Sequence, residues 1–322
     1  MKAAVLNEFG SSENFILTDI PTPKPGHDEV LVKVLATSVN PLDYQVRRGD
    51  YKNELTLPVI TGHDVSGVIV ETGAGVENFK VGDEVYYSPE IFHGQGSYAQ
   101  YHCAHKSIIG LKPANISHLE AASLPLAAGT AWEMLATRAQ LKINQTILIH
   151  GGAGGVGIPT IQIAKAMGAT VFTTARTVHH PILRELGADY VIDYQNEDYI
   201  QAINRLTNNK GVDVIIDTIG GSTLSDSGTI LSQLGQVVTI VDVEKPQNLI
   251  AAWGKNATYH FVFTRQNRNK LEELTKLVES NKLNPLVTKV FPLSAIGEAH
   301  KLLETKAGDK DFYGKIAIEM EH

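Results

Sequence analysis

Thr146-Ile-Leu-Ile-His-Gly-Gly-Ala-Gly-Gly-Val-Gly-Ile158 is the stretch that decides the fold. The run 146–149 predicts a short strand, and the glycines open a predicted helix that ends near Met167. Gly152 is expected to allow the tight turn, Gly154 to let backbone approach a pyrophosphate, and Gly157 to let the helix pack close to the sheet. The N–H groups at the start of such a helix favour phosphate. Strand, glycines and helix in this order predict a dinucleotide site, formed by Gly152, Ala153, Gly154, Gly155, Val156 and Gly157.

The segment after the second predicted strand indicates which dinucleotide binds. That strand, 169–174, is followed by Ala175 and Arg176, and no Asp or Glu occurs between Glu133 and Glu185. NAD sites usually hold the ribose 2′-hydroxyl with an acidic residue roughly 20 residues further on. An arginine instead suits a 2′-phosphate, which it can bind with two hydrogen bonds. We therefore predict NADPH, with the alternative that Arg176 is an exposed loop arginine.

The composition is that of an ordinary soluble protein. The chain has 322 residues, of which 43% are hydrophobic and 20% charged, and this length suits two domains. Its net charge of −7 argues against nucleic acid as the main partner. No apolar run has the length of a membrane span, and the N-terminus lacks the pattern of a signal peptide. A single cysteine, Cys103, excludes an internal disulfide and favours a cytoplasmic location.

The pattern of predicted elements divides the chain. Residues 1–122 contain short predicted strands, among them 81–87 and 97–102, separated by Pro and Gly turns, which predicts a mostly β domain. Residues 123–265 alternate strands with helices, which predicts a doubly wound parallel sheet and an α/β fold. Residues 266–322 are expected to supply a helix and two strands that return to the first domain. A cleft between the domains would be the natural substrate site. The strands of the second domain are predicted at 146–150, 169–174, 190–193, 212–217, 236–241 and 258–264.

Short sequence blocks along the whole chain match a known pattern. They are Asn40-Pro-Leu-Asp43 with Arg47 and Gly49, Gly62-His-Asp-Val-Ser-Gly67, Val81-Gly-Asp-Glu-Val85, Ala121-Ala-Ser-Leu-Pro125 with Thr130 and Ala131, the glycine stretch, Val212-Asp-Val-Ile-Ile-Asp217 with Gly220 and Gly221, and Gly314-Lys-Ile316. With these blocks the chain resembles the medium-chain dehydrogenase/reductase superfamily, in its zinc-independent branch of quinone oxidoreductases and enone reductases. The resemblance implies a GroES-like catalytic domain (1–122 and 266–322) and an NADP-binding Rossmann domain (123–265).

The resemblance also bears on metal. The zinc alcohol dehydrogenases of this superfamily hold the catalytic metal with Cys, His and Cys, but here Asn40 and Leu126 stand where the cysteines would be. A catalytic zinc needs three protein ligands, and of these only His63 remains. We expect His63 to be a turn or core histidine bonded to backbone. In His102-Cys103-Ala104-His105, strand alternation lets at most two ligands converge. The sequence therefore predicts no metal.

Without zinc, the easier reaction is hydride addition to a conjugated acceptor, where charge spreads over an enolate or quinol. NADPH-dependent reduction of a quinone or an α,β-unsaturated carbonyl follows as the expected activity. By resemblance, Asn40 and Tyr51 line the place where the substrate carbonyl meets the nicotinamide, and each can donate a hydrogen bond. The alternatives are that Asn40 caps its own loop and that Tyr51 packs under a turn.

The resemblance completes the cofactor site. His179 and Tyr194 join Arg176 around the 2′-phosphate, and His179 stands where the family often has lysine. A histidine is mostly neutral at physiological pH, so NADPH affinity is expected to be lower or pH-sensitive. The residues expected near the nicotinamide are Thr130, Ile240, Val241 and Phe263. Ile240 and Phe263 could instead be core strand residues.

An aromatic edge strand, 257–264, invites pairing with a second copy, and the resemblance implies a homodimer of that kind. Two other functions stay open. One is an alcohol or polyol dehydrogenase, which the missing cysteines count against. The other is a non-catalytic NADPH-binding protein, with a sensing or structural role.

Overall fold

The computed structural model describes residues 1–92, 95–241, 249–306, 309 and 311–321, and these form two compact units. The first unit contains Met1–Ala127, Arg265–Asn281 and Pro285–His322, and the second contains Ala128–Thr264 and Lys282–Asn284. The domain boundaries predicted after residues 122 and 265 lie close to the observed boundaries at residues 127 and 264. The sequence did not predict that residues 282–284 belong to the second unit. Among the described residues, we find no helix of the length and apolarity that a bilayer crossing requires.

Strands predominate in the first half of the chain, and strands alternate with helices in the second half. The strands are β1 (Lys2–Leu6), β2 (Phe15–Asp19), β3 (Glu29–Val39), β4 (Val59–Ile60), β5 (Val65–Thr72), β6 (Glu84–Tyr87), β7 (Tyr101–His105), β8 (Gly110–Leu111), β9 (Thr146–His150), β10 (Thr170–Thr174), β11 (Tyr190–Ile192), β12 (Val212–Asp217), β13 (Leu231–Thr239), β14 (Thr258–Phe261), β15 (Val287–Pro292) and β16 (Lys315–Glu319). The α-helices are α1 (Pro41–Arg48), α2 (His118–Ala121), α3 (Pro125–Trp132), α4 (Gly157–Ala166), α5 (His180–Glu185), α6 (Tyr199–Leu206), α7 (Ser222–Ile230), α8 (Leu249–Trp253), α9 (Arg268–Glu279) and α10 (Ile296–Thr305). A π-helix (Glu133–Arg138) continues α3, and 3-10 turns lie at Ser12–Asn14, Lys106–Ile108, Thr177–His179 and Leu293–Ala295.

The second unit is built on a six-stranded parallel sheet. Its order is β11-β10-β9-β12-β13-β14, so the chain moves outward from β9 in one direction and then from β12 in the other. This is the Rossmann order, and it places the ligand crevice at the carboxyl ends of β9 and β12. Ile147, Leu148 and Ile149 of β9 are fully buried, as expected for a strand covered by helices on both faces. The prediction of an α/β fold with a doubly wound sheet is confirmed.

The first unit is mostly β. A small sheet has the order β2-β1-β4, and a larger one has the order β15-β16-β3-β5-β6-β8, with β7 also paired to β3. β16 runs antiparallel to β3, with Ile316 opposite Val39. This pairing confirms that the last strands of the chain return to the first domain, and it brings Lys315 next to the end of β3.

Two predicted strands of the first unit begin later than expected. The strand predicted from Val81 begins at Glu84, because Gly82 has φ +95° and forms a turn in which the Asp83 N–H donates to the carbonyl of Lys80. The strand predicted over 97–102 begins at Tyr101. Before it, Ala99 forms only an isolated bridge to Ala3.

Candidate active site

The glycine loop lies between β9 and α4, at the carboxyl end of the central strand. Gly151 has φ +79°, a conformation that side chains rarely adopt, and it makes the turn out of β9. Gly152 lies within the same turn, which the Gly154 N–H closes by donating to the Gly151 carbonyl. A Cβ at Gly152 would lie 2.0 Å from Oγ1 of Thr173 on β10, so Gly152 is needed for the close approach of the loop to the neighbouring strand.

The other glycines of the motif differ in the space around them. A Cβ at Gly157 would lie 2.2 Å from the carbonyl oxygen of Gly151, so here glycine lets the first turn of α4 pack against the loop itself rather than against the sheet. A Cβ at Gly154 would meet only that same oxygen, at 3.2 Å, and Gly154 is exposed. The open position at Gly154 would permit a pyrophosphate to approach the backbone, and this approach stays a prediction. The remaining loop residues, Ala153, Gly155 and Val156, are half-buried.

Arg176 and His179 come together beyond the end of β10. Arg176 is half-buried and His179 is buried. Nη2 of Arg176 donates a hydrogen bond to Nε2 of His179, with 3.2 Å between the two nitrogens. A guanidinium can only donate, so Nε2 of His179 accepts and the ring is neutral in this arrangement. Ala175 is buried, and its N–H donates to Ile192 at the end of β11. Arg176 is therefore the source of positive charge in this pair.

An acidic residue that the sequence reasoning missed lies beside this turn. Asp193 directly follows β11, and its carboxylate accepts hydrogen bonds from the Thr177 hydroxyl, the Gln195 N–H at 3.0 Å and Nδ2 of Asn196 at 2.8 Å. These bonds, that of Thr177 foremost, lower the pKa of Asp193 to about 2. Asp193 lies beyond the segment between Glu133 and Glu185 that contains no Asp or Glu, but the pairing of β10 with β11 brings it back to the Arg176 turn. Tyr194, the next residue, is 53% exposed.

The residues predicted near the nicotinamide lie at several places in the second unit. Thr130 is buried in α3. Ile240 and Val241 follow β13 at the carboxyl edge of the sheet, where the Ile240 N–H points to the Asp217 carbonyl at 3.4 Å. Phe263 is 56% exposed beyond β14, so it is not a core residue. Their contacts with a cofactor stay predictions.

In the first unit, Asn40 lies at the centre of a buried polar network. We use the name Asn40 network for the buried side chains of Ser38, Asn40, Asp43, His63, Asp64 and Lys315. Asn40 joins β3 to α1. Its Nδ2 donates to Oδ2 of Asp64 at 2.7 Å and points to Oδ2 of Asp43 at 3.4 Å, while its Oδ1 accepts from Nζ of Lys315 at 2.5 Å. The Asn40 backbone N–H also donates to the Asp43 carboxylate. Asn40 and Asp43 therefore form a capping pair at the start of α1, in addition to these contacts.

Asp64 connects separate parts of the chain within this network. Its carboxylate accepts from the Ser38 hydroxyl at 2.5 Å, from the Leu126 N–H at 2.8 Å and from Asn40, and it lies 3.4 Å from Nζ of Lys315. Burial raises the pKa of Asp64 and lowers that of Lys315, although each favours the charged form of the other. The segments around residues 40, 64, 126 and 315 are thus held together by one ion pair and its hydrogen bonds.

His63 and His102 of the first unit both have hydrogen-bond partners. Nδ1 of His63 lies 2.5 Å from Oδ1 of Asp43, so the expectation that His63 bonds to backbone is wrong. Both ring nitrogens of His102 have partners, the Tyr87 hydroxyl at 2.9 Å and the Gln95 carbonyl at 2.8 Å. Within the described part of the chain, no three His, Cys, Asp or Glu side chains are grouped as metal ligands. Tyr51 lies in the turn after α1 and packs on Phe92, with ring centroids 4.8 Å apart.

Comparison with known proteins agrees with this architecture. Residues 26–122 match the alcohol dehydrogenase GroES-like domain, and residues 186–316 match the zinc-binding dehydrogenase family model. An NADPH-dependent alkenal/one oxidoreductase of Arabidopsis thaliana is 36% identical over 99% of this chain and 79% of its own length. The chain belongs to the medium-chain dehydrogenase/reductase superfamily.

Solved structures of the superfamily superpose on the whole chain. A quinone oxidoreductase from Coxiella burnetii has a TM-score of 0.90 and 35% identity, and the match covers 100% of this chain and 99% of that one. The Escherichia coli quinone oxidoreductase in complex with NADPH has a TM-score of 0.89 and 26% identity, with 99% and 100% covered. The predicted resemblance to medium-chain dehydrogenases/reductases of the quinone and enone reductase kind is confirmed.

Proposed function

We propose that this protein is an NADPH-dependent oxidoreductase that transfers hydride to a quinone or an α,β-unsaturated carbonyl. The observation that carries the proposal is the glycine loop at the reversal of strand order, followed by the Arg176–His179 turn at the end of the next strand. The named activities of relatives similar over the whole chain support it.

The residues of the second unit fit NADPH. The open backbone at Gly154 and the first turn of α4 would bind the pyrophosphate, and Arg176, with His179 and Tyr194 beside it, would bind the 2′-phosphate. The carboxylate of Asp193 is occupied by Thr177, Gln195 and Asn196. Through these three hydrogen bonds it organises the turn that carries Arg176. NADPH, when bound, supplies the hydride.

The proposal includes zinc independence. Asn40 and Leu126, at the positions of the two absent cysteines, are committed to Asp64, through the Asn40 amide and through the Leu126 N–H. Lys315 already places a positive charge 3.4 Å from Asp64 and would repel a second cation there. A conjugated acceptor suits such a site, because the charge that develops is spread over several atoms. We propose that Asn40 and Tyr51 serve the acceptor side; an alcohol dehydrogenase activity is not favoured.

The experiment that tests the function is NADPH oxidation against 1,4-benzoquinone, 9,10-phenanthrenequinone, 2-hexenal and 3-buten-2-one, with NADH in parallel. We expect turnover with at least one acceptor and a preference for NADPH of about 10-fold or more in kcat/KM. A product saturated at the C=C bond would assign an enone reductase, and turnover with quinones alone would assign a quinone reductase. NADPH binding without turnover on any acceptor would favour the non-catalytic sensor instead.

We also propose a cytoplasmic homodimer that pairs through β14. This strand ends the order of the parallel sheet, and Phe261 on it is 64% exposed, while Trp253 of the preceding helix α8 is 83% exposed. Light scattering after size exclusion is expected to give the dimer mass for the protein and the monomer mass for Phe261→Lys. The matched control is Ile143→Lys, since Ile143 is 72% exposed elsewhere in the same unit. A monomeric unmodified protein would contradict the proposal.

A further inference from the structure

Lys315 is a buried lysine whose hydrogen-bonding capacity is fully used. It is the first residue of β16 and is 6% exposed. Its Nζ donates to Oδ1 of Asn40 at 2.5 Å, to the Val39 carbonyl at 3.3 Å and to Oδ2 of Asp64 at 3.4 Å. An ammonium has three donors, so each has an acceptor here. Lys315 therefore has a fixed position, with its charge aimed at the Asn40 amide.

The charges around Asn40 select one of the two orientations of its amide. The carbonyl oxygen faces the ammonium of Lys315, and the NH2 group faces the carboxylates of Asp64 and Asp43. A rotation by 180° would place the NH2 group against the ammonium and the oxygen against a carboxylate. Both contacts would then be repulsive in a site from which water is excluded. The orientation of the amide thus depends on the Lys315–Asp64 ion pair.

We propose that Lys315 is a positioning residue for the reductase reaction and acts through the Asn40 amide. The inference rests on the proposed function. Lys315 joins β16 to the junction of β3 and α1, and Asp64 joins that junction to the N-terminal turn of α3. The ion pair therefore fixes both the amide and the backbone that carries it. Of the two N–H groups of the Asn40 amide, the one directed at Asp43 makes the longer contact, at 3.4 Å, and is the donor that Asn40 would offer to the substrate.

The test separates positioning from stability by removing the charges singly and together. Lys315→Met or Asp64→Asn leaves an uncompensated buried group, and we expect either to lower Tm by about 5–10 °C. The double variant removes both charges, so Tm should return to within about 3 °C of the unmodified protein. Its kcat should stay at least about 10-fold lower, because the ion pair that selects the orientation of the amide is then absent. KM for NADPH should change less than about 2-fold in the double variant.

A matched control and a second variant complete the experiment. Lys112 is a half-buried lysine of the first unit whose side chain is 5% exposed, paired to Glu84 and bonded to the carbonyls of Pro113 and Ile116. Lys112→Met should lower Tm but leave kcat unchanged. Lys315→Arg retains the positive charge. If the double variant does not fold, this variant tests whether the charge at position 315 is what positions the Asn40 amide. We expect its kcat to lie within about 3-fold of the unmodified enzyme.

The outcomes that overturn the inference differ from one that overturns the function. A folded double variant with kcat within about 2-fold of the unmodified enzyme would reduce Lys315 to a structural role. So would a Lys315→Arg variant with unchanged Tm and a kcat loss above about 10-fold, since charge would then not be what matters. Absence of turnover in the unmodified protein on every acceptor would overturn the proposed function and this inference with it.

Discussion

Arg176→Ala is expected to raise KM for NADPH about 10- to 100-fold, since one or two hydrogen bonds between charged groups contribute about 1.5–3 kcal/mol. KM for NADH should change less than about 2-fold, because NADH carries no 2′-phosphate. The physical reason is specific to this turn. His179 is neutral while its Nε2 accepts from Arg176, so the arginine is the source of positive charge in the pair. Initial rates at varied NADPH and NADH, with one acceptor at saturation, measure both constants.

The matched control for this prediction lies in the same segment. Arg184 is exposed on α5, and Arg184→Ala should leave both constants within about 2-fold of the unmodified enzyme. A loss of NADPH and NADH affinity by the same factor in Arg176→Ala would show that Arg176 supports the fold of the turn rather than the 2′-phosphate. If KM for NADPH were the same in Arg176→Ala and Arg184→Ala, Arg176 would be an exposed loop arginine without a role in cofactor binding.

Much of the second unit could be predicted because its strands carry strong local signals. β9 and β12 are short apolar runs bounded by turn residues, and each is followed by a segment of helical length. Such a pattern permits few topologies, because the crossover connections between parallel strands are right-handed. What escaped prediction depends on contacts between strands. Gly152 is required by Thr173 on β10, and Asp193 reaches the Arg176 turn from the end of β11. Neither neighbour is close in sequence.

The Asn40 network shows the same division between local and distant signals. Asn40 and Asp43 stand three residues apart in front of a helix with proline at its first position, and this spacing predicts the cap that the structure has. Lys315 lies 275 residues away from Asn40, and only the pairing of β16 with β3 brings the two together. A signal was present in the run Lys315-Ile-Ala-Ile318. A lysine that begins an apolar strand must either reach water or find a buried partner.

Gly154→Ala and Gly157→Ala are expected to fail in different ways, although both replace a motif glycine by the same side chain. At Gly157 the new Cβ would lie 2.2 Å from the backbone oxygen of Gly151, so the backbone itself must move. Overpacking of this kind costs about 1–3 kcal/mol, and we expect Tm to fall by several degrees together with NADPH affinity. At Gly154 the nearest atom is 3.2 Å away and the position is exposed, so Tm should change by less than about 2 °C.

The Gly154 variant is therefore the one that reports on the cofactor. Its methyl group would stand where the loop backbone is expected to approach the pyrophosphate, and the Kd for NADPH should rise at least about 10-fold. Thermal unfolding and a titration of nicotinamide fluorescence measure the two quantities on the same samples. A Gly154→Ala protein that binds NADPH as tightly as the unmodified chain would place the pyrophosphate away from this loop. If Tm fell equally in both variants, protein atoms would have to pack against Gly154, and the position would not be open. Unchanged stability with lost binding is the result that assigns the exposed backbone of the loop to the cofactor, because only a ligand can then account for the need for glycine.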